Sequence, residues 1–277
     1  MNSKSKLSKI FFYVICTIVA LVFIFPIYYT FINSLRNVYS TPATLTFKGF
    51  EWINYEYALT LIPFFKYLGN SLIILVISVP LGIVVNFLYG YALAKLNAPG
   101  SNILFFIVLS TMMIPSFATQ IPQYILFSKL GITNTFWIWF LEALAGNSYI
   151  IFLCKQYLSS IPKSLMEAAI IDGCTQPQLI SKIIMPVSKP LMAICLFRLF
   201  NLNWGDYMKP YMYLSKEKYP LIMALFNNYE YVFPGSGFKL VPVVNAATLL
   251  VMIPVFIIFF LCQKQLVQGA TYSGIKG

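Results

Sequence analysis

The chain has 277 residues, of which 59% are hydrophobic and only 10% charged, with a formal net charge of +11. A water-soluble domain carries about a quarter charged residues, so a chain this apolar cannot cover its surface with polar groups in water. Its basic balance comes without a basic run interleaved with aromatics, which excludes a nucleic-acid partner, and without a histidine or a cysteine cluster at ligand spacing, which excludes zinc, haem and Ser-His-Asp chemistry.

The first predicted element is an uncharged apolar run over residues 10–32, preceded by Lys4, Lys6 and Lys9. A helix needs about 20 residues to cross a bilayer core, and this run is long enough. It exceeds the apolar part of a signal peptide and no small-x-small cleavage site follows, so it reads as a retained helix. The lysines before it place the N-terminus in the cytoplasm. An external segment over 34–66 follows, with turn-forming Thr41-Pro42 and the aromatics Trp52, Tyr55 and Tyr57.

Runs over 68–94 and 103–127 give the second and third spans, joined by a tight cytoplasmic turn at Asn97-Ala98-Pro99-Gly100. The fourth span, 135–154, carries one acid, Glu142; the fifth, 190–203, contains Arg198; the sixth, 241–262, is uncharged. Six spans return the C-terminus to the cytoplasm. The Lys/Arg bias between the two sides is slight, so the N-terminal cluster carries most of the orientation. Pro80, Pro115, Pro122 and Pro254 fall inside spans, where bundles tolerate kinks. The external stretch 206–240 is rich in Tyr and Phe, including Tyr229, Tyr231, Phe233 and Phe238, and reads mainly as an interfacial belt. None of the five cysteines lies in an external segment, so no disulfide framework is implied.

The loop between the fourth and fifth spans, 156–189, reads as two short capped helices meeting at a sharp turn. Ser164 and Glu167 have the spacing of a capping box, and Thr175 and Gln178 repeat it with Pro177 in the first turn. Gly173 supplies the left-handed residue that ends the first helix, and Pro186 stops the second. Such a pair makes a stiff protrusion.

Within this loop, Glu167-Ala168-Ala169, Asp172-Gly173, Ile183 and Met185-Pro186 strongly resemble the EAA loop of ABC-importer permeases. Met113-Ile114-Pro115, Ile121-Pro122, Leu130-Gly131-Ile132, Ile161-Pro162 and the Gly-rich end from Gly269 to Gly277 are similar to the carbohydrate-uptake branch, the maltose-permease type. The resemblance implies an all-α polytopic bundle of six helices, the transmembrane domain of a type I ABC importer. Its parts would be a first helix and external segment (1–67), the transmembrane domain (68–262) and a cytoplasmic tail (263–277).

It also implies a division of labour. Glu167, Ala168, Ala169, Asp172 and Gly173 would dock on a cytoplasmic ATPase subunit. Two such ATPases, binding ATP and magnesium, would drive this permease and a second, non-identical one, while an external solute-binding protein delivers a sugar. The setting is the inner or plasma membrane of a bacterium, with membrane lipid around the spans. The chain itself would be no enzyme and would hold no cofactor. Agreeing with this, it contains no G-x-x-x-x-G-K-[ST] phosphate loop.

Two departures from that branch fall near the expected translocation path. Its Trp-Asn pair stands here as Trp204-Gly205, with Asp206 kept, and Arg198 replaces an apolar or aromatic residue. Arg198, Glu142, Asn203, Trp204 and Asp206 are therefore the candidate pathway residues. A charge at the bilayer centre costs roughly 3 kcal/mol, so Arg198 must meet Glu142, an acid of the partner permease, or a substrate carboxylate such as that of a uronate. A proton-coupled carrier would show inverted repeats and several buried acids, and a membrane-embedded enzyme a cluster of acids or histidines; neither pattern is present.

Overall fold

The computed structural model describes residues 3–39, 43–96, 98–228 and 240–274, and every regular element among them is helical. In chain order the helices are α1 (Ser3–Ser34), α2 (Ile53–Thr60), α3 (Phe64–Lys95), α4 (Ser101–Met112), α5 (Ser116–Lys129), α6 (Trp137–Ala145) and α7 (Ser148–Ser159). They continue with α8 (Lys163–Ile171), α9 (Gln176–Val187), α10 (Lys189–Trp204), α11 (Met208–Tyr213), α12 (Leu221–Asn228) and α13 (Val241–Gly274).

Four stretches are long and apolar enough to cross a membrane: Ser8–Ser34, Phe64–Lys95, Trp137–Ser159 and Val241–Val267. The third expected span is a bent pair instead, and the fifth, α10, is 16 residues long and passes the same length test only together with α9 before it. α4 and α5 meet at 98°, and α9 and α10 at 81°, so the total rises to six when each pair counts as one span. The first bend has a local cause. Pro115 is extended, at φ −59° and ψ 131°, has no N–H for a helical ladder and disfavours a helical Ile114. Pro80, Pro122 and Pro254, by contrast, lie inside continuous helices. α13 also runs through Gly274, so most of the expected tail is helix continuous with the last span. Residues 275–277, like Tyr229, Tyr231, Phe233 and Phe238 of the aromatic stretch, lie outside the described residues.

The described chain divides into two compact units. In the first, Met1–Lys66 with Ala224–Ile253, the segment that follows α1 is latched onto its end. The buried Asn33 side chain donates to Thr44 O (2.9 Å) and accepts from Thr44 N–H (3.0 Å). The amide of Asn54 in α2, fully buried, donates to Ser34 O (2.9 Å) and Arg36 O (2.6 Å). Carbonyls left open at a helix end are thereby satisfied by side chains.

The second unit, Tyr67–Met223 with Pro254–Gly277, has its core where α3, α7 and α10 meet. Val79, Phe87 and Tyr91 of α3 pack with Ile150, Cys154 and Leu158 of α7 and Leu191, Cys195 and Leu199 of α10. Closeness comes from Gly90: a Cβ there would stand 2.3 Å from Cys154 Cβ and 2.9 Å from the Lys155 nitrogen. Small residues that let backbones approach are the usual means of helix association in lipid, where apolar burial drives little. Cys154 and Cys195 sit 3.7 Å apart, sulfur to sulfur, as free thiols.

The fourth span is broken between α6 and α7. Gly146 takes φ +78°, Asn147 is extended, its Oδ1 accepts the Ile150 N–H (3.2 Å), and its own N–H donates to Asn86 of α3 (2.7 Å). A side chain at Gly146 would press on Tyr89 and Ile151 at about 3.1–3.2 Å. The break restarts a helix inside the span, beginning at Ser148-Tyr149.

Candidate functional site

The loop after α7 forms the expected pair of short helices, with one cap in a different place. α8 begins at Lys163 behind Pro162 (φ −59°, ψ 137°), so Ser164 already lies inside the first turn and makes no cap with Glu167. The preset φ of Pro162 starts the helix without a side-chain acceptor. The other end is as expected. Gly173 takes φ +84°, its N–H donates to Ile170 O, and the Cys174 N–H donates to Ala169 O, both at 3.0 Å. These two bonds are a Schellman ending, which the left-handed glycine permits.

α9 opens with Thr175 extended, Pro177 in its first turn, and the Thr175 N–H donating to Gln178 Oε1 at 3.0 Å. Over Leu179–Ile184 it widens to π-helix, with the Met185 N–H reaching Ile180 O. Pro186 stands just after this stretch and has no N–H to offer an α-helical ladder. The helix nevertheless passes Pro186 and turns only at the buried Ser188. The proline thus changes the helical register without stopping the helix.

The protrusion is tied to the spans. Lys95 Nζ donates to Ile161 O (2.7 Å), Tyr91 Oη to Gln176 Oε1 (3.2 Å), and Tyr157 Oη to Val187 O (3.4 Å). Ile161, Ala169, Leu179 and Ile184 enter the core described above. Ala169 of the expected docking set is buried and faces the chain's own core. Glu167, Ala168, Asp172 and Gly173 are exposed. Sequence reading passed over the most exposed apolar pair beside them, Ile170 at 50% and Ile171 at 85%. Two isoleucines at the end of a helix outside any span were the signal that could have found them.

Two of the candidate pathway residues, Glu142 and Asp206, come together on Lys209, and the others make their contacts elsewhere. Trp204 is buried and stacked on Phe200 (centroids 5.7 Å apart, 13° between planes), so it packs the fold and lines no open surface. The Asn203 amide donates back to Leu199 O in its own helix (2.8 Å). Glu142 does not meet Arg198: its Oε2 lies 2.6 Å from Lys209 Nζ, and Asp206 Oδ2 lies 3.2 Å from the same ammonium. Lys209, at the start of α11, was absent from the sequence reading; its spacing of three from Asp206 was the available hint. Burial around this ammonium pushes its pKa down, but the carboxylates of Glu142 and Asp206 outweigh that and leave it raised.

Further contacts fasten this outer region. Asn134, at φ +59°, accepts from Ser215 N–H (3.0 Å), and Asn70 of α3 donates to Tyr219 O (3.0 Å). Tyr213 packs against Tyr124 and Phe127 of α5. Tyr213 and Tyr219 of the aromatic stretch are thus buried packing, whereas Tyr211 and Phe226 are exposed. Arg198 stands apart on α10, exposed, with its guanidinium 5.3 Å from the centroid of the Tyr149 ring. Among the described residues both ion pairs belong to Lys209, and no cluster of residues suited to a metal ion occurs.

Residues 78–272 match the family described as binding-protein-dependent transport system inner membrane component. The chain is 32% identical over 245 residues to the arabinooligosaccharides transport system permease protein AraQ of Halalkalibacterium halodurans, covering 85% of this chain and 81% of that one. It is 26% identical over 287 residues to the maltodextrin transport system permease protein MdxG of Bacillus subtilis, covering all of both. Its fold is similar, at a TM-score of 0.82 and 24% identity, to a chain of a bacterial ABC transporter involved in the import of the acidic polysaccharide alginate; 96% of this chain and 99% of that one are covered.

Proposed function

Since this chain belongs to the binding-protein-dependent transport system inner membrane component family, we propose that it couples ATP hydrolysis on a partner to sugar import through the α8–α9 protrusion. It is a multi-pass membrane subunit of an ABC importer, not an enzyme. The single observation that carries the coupling role is the exposed tip of Glu167, Ala168, Ile170 and Ile171, on a helix pair whose other face is locked into the core. An apolar tip facing water has a cost that a partner's cleft removes. A stiff helix pair then transmits partner movement to α10 across one buried residue, Ser188.

The substrate class follows from relatives named for arabino-oligosaccharide and maltodextrin transport, so the cargo is a sugar or oligosaccharide. The assembly contains two ATPase subunits holding ATP and magnesium, a second, non-identical permease, and an external solute-binding protein. Purifying the tagged chain from its native membrane is expected to bring down an ATPase subunit and a second permease in stoichiometric amounts. A chain that purifies alone and imports in a proton gradient without ATP would instead be a secondary carrier.

Both termini lie in the cytoplasm of a bacterial cell, with residues 68–262 forming the transmembrane domain proper. The expectation is checked with single cysteines in a cysteine-free background. Positions 9 and 163 should label only from the cytoplasmic side, and positions 48 and 216 only from outside. Labelling of 163 and 216 from one side would refute the six-span topology.

A further inference from the structure

Arg198 is a cation inside a candidate span whose surroundings pose a problem the rest of the fold leaves open. It lies nine residues into α10, about 14 Å along the axis at about 1.5 Å per residue. A guanidinium at such depth is costly unless it meets an anion or a wet cavity. The acid within the neighbouring span, Glu142, is already held by Lys209 at 2.6 Å. Among the described residues Arg198 joins no ion pair, and its guanidinium carbon lies 5.3 Å from the centroid of the Tyr149 ring.

That contact leaves the chemistry of the side chain free. An aromatic ring close to the guanidinium favours the charge by a cation–π interaction, yet takes up none of the five N–H donors. Tyr149 as a whole residue is 42% exposed. It is presented there because the helix breaks at Gly146 and restarts at Ser148, which puts Tyr149 in the first turn of α7. A fork of donors beside a part-exposed aromatic residue suits a carboxylate on a ring-shaped molecule. The fork takes the carboxylate through two parallel hydrogen bonds, and the aromatic ring covers the apolar face beside it.

We propose that Arg198 and Tyr149 form a subsite for the carboxylate of an acidic sugar as it passes through this permease. The proposal rests on the reading of the chain as a sugar permease and narrows its substrate class. A lysine would supply charge without the fork, and a methionine neither.

The test uses the assembled complex with its binding protein in proteoliposomes, with three labelled probes: trigalacturonate, its neutral methyl ester, and neutral arabinotriose. Wild type is expected to import trigalacturonate in preference to the ester. Arg198→Met should lower uptake of the acid at least about tenfold, as loss of a bidentate partner does, and leave uptake of the ester within about twofold. Arg198→Lys should fall between, and Tyr149→Leu should weaken the acid more than the ester. The amount of assembled complex should stay unchanged in all three variants.

Loss of assembled complex in Arg198→Met would assign the arginine to an acid of the second permease and overturn the proposal. Equal effects of Arg198→Met on acid and ester would overturn it too. Import of arabinotriose with neither galacturonide would overturn the acidic-sugar inference while leaving the sugar permease standing. Import of none of the three by wild type would overturn the acidic-sugar inference, and a labelled maltotriose probe in the same proteoliposomes would then test the sugar-permease reading separately.

Discussion

Ile171→Asp and Glu167→Lys are expected to leave the chain inserted and folded while lowering ATP-driven uptake by at least about thirtyfold. Ile171 is 85% exposed and Glu167 is exposed, so neither change removes a contact within the chain. A central apolar anchor of an interface contributes about 2 kcal/mol or more, which corresponds to roughly thirtyfold in affinity. An aspartate placed there must also be desolvated on docking, which adds to the loss. Ala169→Leu makes the informative contrast. Ala169 is buried in the core, so enlarging it should reduce the yield of folded chain rather than its affinity for the ATPase. The measurements are the ATPase retained per permease on purification and uptake in vesicles. Full retention and full uptake in both tip variants would sink the docking role of this protrusion.

Gly90→Val should be the most damaging single change to the bundle. Even the first added carbon stands 2.3 Å from Cys154 Cβ, 2.9 Å from the Lys155 nitrogen and 3.0 Å from the Cys154 carbonyl carbon. Two of these three atoms are backbone, so a rotamer change cannot relieve the clash and α3 must move off α7. Overpacking of this kind costs about 1–3 kcal/mol, and rigid backbone neighbours place it at the upper end or beyond. Gly82→Ala is the control, because there the new carbon meets the two ends of the Leu199 side chain at 3.2 and 3.3 Å. Thermal denaturation of the purified complex should show Gly90→Val failing to assemble or melting many degrees lower, with Gly82→Ala close to wild type. Similar melting of Gly90→Val and Gly82→Ala would mean that α3 and α7 are not held this closely.

Where the governing physics is local, sequence and structure agree. The left-handed Gly173, the Thr175–Gln178 cap and Pro177 in a first turn each depend on residues within one turn of one another. The long apolar runs are legible for a related reason: a bilayer accepts only helices of sufficient length with their backbone bonds satisfied internally. The errors arose where a local pattern met a neighbour. Ser164 matched a capping box, but Pro162 had already begun the helix. Pro186 matched a stop signal, yet its segment continues in a wider register and packs Leu179 and Ile184 into the core.

The sequence by itself determined that this is a polytopic helical membrane protein with a capped protrusion, because apolar length and caps are properties of adjacent residues. Only the tertiary structure decided which face of that protrusion is free. Ala168 and Ala169 are alike in sequence, but about 100° of helical rotation leaves one exposed and buries the other. Only the tertiary structure, likewise, decided how the charges pair. Glu142 meets Lys209 across 67 positions of chain, and Arg198 lies against Tyr149. Coulomb attraction and ring contact depend on distance in space, and in a bundle that distance is set by how helices pack.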